Sequence, residues 1–176
     1  ALSGDGRTLH INGQYRRMTM LGADCSLPVG QFVLRAEVAE YIGEAQGSGL
    51  GQNAVRRNTL NALAGVDWYP GNDWNISVQY CHKYTSGNLA TLSVYRNAGL
   101  ATARLSKELL HNTLKLSTFA YIDVASGGIF NRLSASYSLN DDIELTVGYD
   151  YFHANKGKFA MYGKNSEAWV KMKYSF

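Results

Sequence analysis

Charged side chains recur at alternate positions through most of this sequence, set among Ser, Thr, Asn and Gly. They are Asp24, Arg35, Glu37, Asp67, Arg104, Lys115, Arg132, Glu144, Asp150, Lys171 and Lys173, with acids and bases nearly in balance. Two kinds of chemistry suit such a set. Crowded together away from water, the charges must pair, because an isolated buried charge is very costly. Facing water along a passage, they bias which ions move through it. Catalysis is the third possibility. The available bases are His10, His82, His111 and His153. None joins a Ser/His/Asp combination with a sequence signature. His111 falls in a short turn, and His82 and His153 fall at the mouths of connections, where a solvated histidine is the default. No catalytic residue is assigned, and the chain is read as a non-enzyme. Cys25 and Cys81 make no disulfide framework. No Cys/His spacing suits a metal, and the Gly47–Gly51 stretch lacks the lysine of a phosphate-binding loop, so neither metal nor cofactor is expected.

The elements that must position these charges are strands. Leu21, Ala23, Cys25 and Leu27 alternate with Gly22, Asp24 and Ser26. Phe32, Leu34, Ala36 and Val38 oppose Val33, Arg35, Glu37 and Ala39. Leu60 to Trp68, Trp74 to Tyr80, Ala101 to Leu105, Leu114 to Ala120, Leu133 to Leu139, Ile143 to Tyr151 and Ala168 to Phe176 repeat the plan. A period of two gives each strand one dry face and one wet face. The charges fall on the wet side every time. Short turns are expected at 28–30, 70–73, within 107–112 and at 140–142. They alternate with connections at 43–57, 82–97, 125–128 and 153–165, three of them long. Residues 1–14 are ambiguous: Gly4, Asp5 and Gly6 read as loop, and Leu9, Ile11 and Gly13 allow a short strand.

Composition bounds the class. The chain has 176 residues, enough for one domain over 1–176. Mean hydropathy is -0.23 although 45% of residues are hydrophobic. No apolar run approaches the ~20 residues that a spanning helix needs. Twelve Tyr, 18 Gly and two Pro suit twisted, turn-rich β structure. The formal charge of +3 is weak and its Lys and Arg are scattered, which excludes a nucleic-acid partner. A soluble β-sandwich also alternates, but its outer face is usually dense in Lys and Glu. Residue 1 is Ala and no signal peptide is visible, so the chain is expected to be mature after export or a piece of something longer.

The tail runs Ala168, Val170, Met172, Tyr174, Phe176 on its dry side and Lys171, Lys173, Ser175 on the other. Aromatic rings favour a membrane interface. This ending resembles the terminal strand of Gram-negative outer-membrane β-barrels, in which Tyr174 and Phe176 would be the signal for the assembly machinery. One-sided long loops fit the same class. The Gly22–Asp24 strand, the Phe32–Glu37 return and the Asn140–Tyr149 hairpin resemble the carboxy-terminal part of a larger porin-like barrel. The resemblance implies an all-β fold, an antiparallel up-and-down transmembrane barrel with about 8–10 strands from this chain. It implies the bacterial outer membrane, lipid and small solutes as partners, and a channel for passive passage of small polar solutes. The alternatives are a structural or partner-binding barrel with a filled lumen and, ranked last, a membrane enzyme. The strand count comes out odd, at about nine, whereas single-chain bacterial barrels use even numbers. Either residues 7–14 supply one more strand, or further strands or a partner chain complete the wall.

Overall fold

The computed structural model describes residues 15–47, 54–92 and 98–176. The expectation of a strand at 7–14 lies outside the described residues. The rest is a single antiparallel meander of nine strands in sequence order. They are β1 (Thr19–Val29), β2 (Phe32–Gln46), β3 (Val55–Trp68), β4 (Trp74–Thr85), β5 (Ala98–Leu109), β6 (Leu114–Asp123), β7 (Gly128–Ser138), β8 (Ile143–His153) and β9 (Glu167–Tyr174). Two single turns of 3-10 helix, Leu89–Thr91 and Ala160–Tyr162, sit in the connections. The sheet is open, with β1 and β9 at its edges.

Alternation survives as two continuous faces. One lateral row of register partners reads Leu34, Val66, Val78, Ala103, Ala120. Another reads Ala135, Val147, Val170. Aromatic residues flank this aliphatic band on the same face. Phe32, Trp68, Trp74, Tyr137 and Tyr174 stand towards the short turns, and Tyr80, Tyr84, Tyr149 and Tyr151 stand towards the other end. Phe32 and Trp68 stack at 5.8 Å.

Burial is inverted relative to a protein packed in water. Val78 and Leu133 on the apolar face are 49% and 50% exposed. Among the described residues Leu92 is the one buried hydrophobic, and the buried side chains are otherwise polar: Gln46, Thr59, Asp67, Thr85, Ser106, Asp123, Thr146 and Asp150. In the strand register these lie on the polar face. The sheet is therefore curled with its polar face concave. Lys158, from the β8–β9 connection, lines a cavity of about 710 Å³ together with Asp24, Glu37 and Cys81 from the opposite half of the sheet.

The connections differ from expectation in length. The 43–57 stretch is not all loop, since β2 runs to Gln46 and β3 begins at Val55. A bulge between Tyr41 and Glu44 absorbs the glycine there and lets pairing resume. Gly43 takes a φ of +72°, a backbone region open to glycine. Its N–H donates to Asn58 Oδ1 at 3.0 Å, and its carbonyl accepts from Arg56 Nε at 3.1 Å. Likewise β4 continues through His82 to Thr85, and β5 continues to Leu109 before a turn at 110–113. Polar, charged and Gly residues read as loop, but here they are the strand ends above the apolar band.

Candidate functional site

Every residue of the charged set on described strands lies on the concave face. Asp24 stands opposite Glu37, Arg35 opposite Gly65, and Asp67 opposite Ser77. Arg104 stands between Ser77 and Phe119. Lys115 faces Ser136, and Arg132 lies between Phe119 and Asp150. Glu144 faces Lys173, and Thr146 faces Lys171, on the edge pair β8–β9.

Two of these groups are built as ion pairs around a buried carboxylate. Arg35 Nη2 lies 2.5 Å from Asp67 Oδ2, and Ser77 Oγ donates to Asp67 Oδ1 at 2.6 Å. Arg132 forks onto Asp150, with Nε donating to Oδ1 at 2.7 Å and Nη2 donating to Oδ2. Trp169 Nε1 donates to the same Oδ1 at 3.1 Å. The Arg132 guanidinium also lies 5.3 Å from the Trp169 ring and 5.8 Å from the Phe130 ring. Asp67 and Asp150 are 5% and 3% exposed, so each would be costly without its arginine. A third pair, Lys115 to Glu108 at 2.7 Å, brings in an acid that the sequence placed in a turn. Lys83 and Glu44 pair at 3.3 Å, again on residues assigned to connections.

The remaining members of the set are not brought into pairs with one another. Asp24 and Glu37 are like charges directly across β1–β2. Arg104, Lys171 and Lys173 take part in none of the ion pairs among the described residues. Arg35 and Arg104 instead share a cavity of about 240 Å³ with Asp67, Gln79, Thr102 and Phe119. Smaller polar bonds knit the wall between the charges: Ser117 to Ser134 at 2.8 Å and Ser136 to Thr146 at 2.9 Å.

The concave face also carries an aromatic track that the wet-face reading passed over. Phe119 and Tyr121 meet edge-to-face at 4.6 Å. Tyr121 lies 6.2 Å from Phe130, Phe130 lies 4.6 Å from Phe152, and Phe152 lies 5.7 Å from Tyr162 in the β8–β9 connection. The signal was parity: Phe119 and Tyr121 fall on the side of Lys115 and Ser117, Phe130 with Arg132, and Phe152 with Asp150.

The histidines are dispersed. His82 sits on the apolar face with Nδ1 2.9 Å from the Tyr80 hydroxyl, His153 stacks on Tyr151, and His111 is in the β5–β6 turn. His10 lies outside the described residues. Cys25 and Cys81 are free and stand on opposite faces. Among the described residues no group of His, Cys, Asp and Glu could hold a metal. Tyr174 and Phe176 are exposed, with rings 6.3 Å apart at the short-turn end. No protein-family model, curated protein or solved structure matches the chain.

Proposed function

We propose that this sheet is part of the wall of a porin-like β-barrel in a bacterial outer membrane, a channel for the passive passage of small polar solutes. The observation that carries the reading is the inverted burial. A sheet with no buried hydrophobic among its described strand residues, Leu92 lying in a connection, gains little from the hydrophobic effect in water. Its apolar face needs an apolar surrounding, and lipid supplies one along the whole face. The aromatic rows at both ends of the aliphatic band suit the two interfaces. At ~3.3 Å per residue and a tilt of about 45°, Trp74 to Tyr84 rises roughly 23 Å, near the ~25 Å height of a barrel's apolar band.

The strand directions bear on closure. β1 and β9 both run from the long-connection end to the short-turn end. Antiparallel closure therefore needs an odd number of further strands between them, which makes the total even. Barrel width grows with strand number, so those strands would also widen the lumen. The partners in this reading are outer-membrane lipid, the barrel assembly machinery acting on Tyr174 and Phe176, and small solutes. A barrel with a filled lumen is the second reading, favoured by the Arg35–Asp67 and Arg132–Asp150 pairs, which cancel charge between neighbouring strands of the concave face. Conductance of the purified, folded protein in a planar bilayer decides between them. Discrete current steps are expected from the channel, and a folded, heat-modifiable protein that passes no current would end that reading.

A further inference from the structure

We infer that the concave face binds an aromatic monocarboxylate, held by Arg104 and the Phe119 end of the aromatic track, and the inference rests on that face being the channel lumen. Four observations converge on Arg104. Two other arginines of the concave face are neutralised, Arg35 by Asp67 and Arg132 by Asp150. Arg104 lies in one lateral row with Asp67 and Ser77 on one side and Phe119 and Arg132 on the other, and takes part in no ion pair among the described residues. It faces a cavity of about 240 Å³ whose other walls include the neutral donors and acceptors Gln79 and Thr102. Phe119 is a wall of that cavity and the first ring of the track that leads through Tyr121, Phe130 and Phe152 to Tyr162 at the loop end.

The chemistry selects the ligand. A guanidinium presents a planar fork that matches a carboxylate in two parallel hydrogen bonds. One free positive charge balances one negative charge. A more highly charged anion would also meet the buried Asp67 carboxylate in the same cavity. A small inorganic anion would use the guanidinium and leave the rings idle. A neutral sugar would use the rings and leave the guanidinium unmatched. A flat apolar body with a single carboxylate uses both, stacking on rings while its charge reaches Arg104. The track gives such a body successive resting places between the loop end and the arginine, which suits movement along a wall by weak, repeated binding.

Benzoate is the probe. Titrated calorimetrically into the full chain folded in detergent, benzoate should bind more tightly than acetate, benzyl alcohol or maltose. Arg104→Gln should weaken benzoate roughly tenfold or more, the loss of a charge-assisted contact. Arg104→Lys, which keeps charge and loses the fork, should weaken it less. Phe119→Leu should weaken benzoate and leave acetate unchanged. Because Arg104 neutralises no carboxylate among the described residues, its variants should keep the heat-modifiable gel mobility of the parent. Equal benzoate affinity in the parent and Arg104→Gln overturns the site, as does acetate or maltose binding as tightly as benzoate. Bilayer conductance on the same sample separates the two proposals. Arg104-dependent benzoate binding without current upholds the site and ends the channel reading. Current without such binding ends the site and leaves the channel.

Discussion

At the scale of single residues, the arginines of the concave face look alike in sequence and differ in what they do. Arg132 neutralises a carboxylate that is 3% exposed, whereas Arg104 neutralises none among the described residues. Arg132→Gln should therefore destabilise the folded protein by roughly 2–4 kcal/mol. That is somewhat below the cost of breaking a fully buried pair, since half of the Arg132 side chain is exposed. Arg104→Gln should leave the unfolding free energy within about 0.5 kcal/mol of the parent. Urea unfolding in detergent measures both, and equal costs would show that Asp150 does not depend on its arginine. Removing both partners, as Arg132→Met with Asp150→Leu, should recover much of the loss, because no charge is then left buried alone. The cysteines test which way the faces point. Cys25 lies on the apolar face and Cys81 on the concave face. In lipid vesicles a membrane-impermeant thiol reagent should modify Cys81 faster than Cys25, and gel mobility should not change with reductant. Preferential labelling of Cys25 would turn the sheet inside out.

At the scale of the strand, parity was the legible quantity. A side chain's face follows from odd or even position, so the sequence alone places the charged set on one side. Where strands end was less legible. The 43–57 stretch reads as loop because Gly, Glu, Gln and Arg replace the apolar alternation. Yet pairing continues across the Tyr41/Glu44 bulge, held by backbone bonds that need no apolar side chain. Which charges pair was not legible either. Arg35 and Asp67 sit on a diagonal, two residues off the directly opposed position on neighbouring strands, and Lys115 meets Glu108 because β5 outruns its apolar segment. Periodicity says nothing about such steps. The aromatic track was missed for a related reason: apart from the Phe119/Tyr121 pair on β6, its rings are single exceptions on polar faces, and the four form a path only once β6, β7 and β8 are laid side by side. Parity gives its own test on β4. Val78→Lys places a charge in the middle of the apolar face and should cost about 2–4 kcal/mol at the bilayer midplane. Gln79→Lys, one residue on and facing inward, should cost far less. Unfolding in lipid vesicles checks the pair, and similar costs would mean that the apolar face does not meet lipid.

At the scale of the whole sheet, charge is balanced in sum and uneven in place. Asp24 and Glu37 lie together on β1–β2, whereas Lys171 and Lys173 lie together on β9 at the other edge. Between them the buried acids Asp67 and Asp150 are cancelled by their arginines and contribute little field. Glu144 stands across from Lys173 without an ion pair among the described residues, so it offsets part of the β9 charge without locking it. In a water-filled lumen such charges act over about a Debye length, ~8–10 Å at ordinary salt. The β9 edge should then draw anions and the β1–β2 edge should repel them. Lys171→Gln with Lys173→Gln removes the positive edge and leaves Asp24 and Glu37 in place. Under a salt gradient the reversal potential should move towards that of a cation-preferring channel, and the shift should shrink as salt rises and screening shortens. Neither lysine takes part in an ion pair among the described residues, so the unfolding midpoint should hold. A fall in that midpoint with no current before or after the change would mean that these lysines are structural charges in a filled lumen.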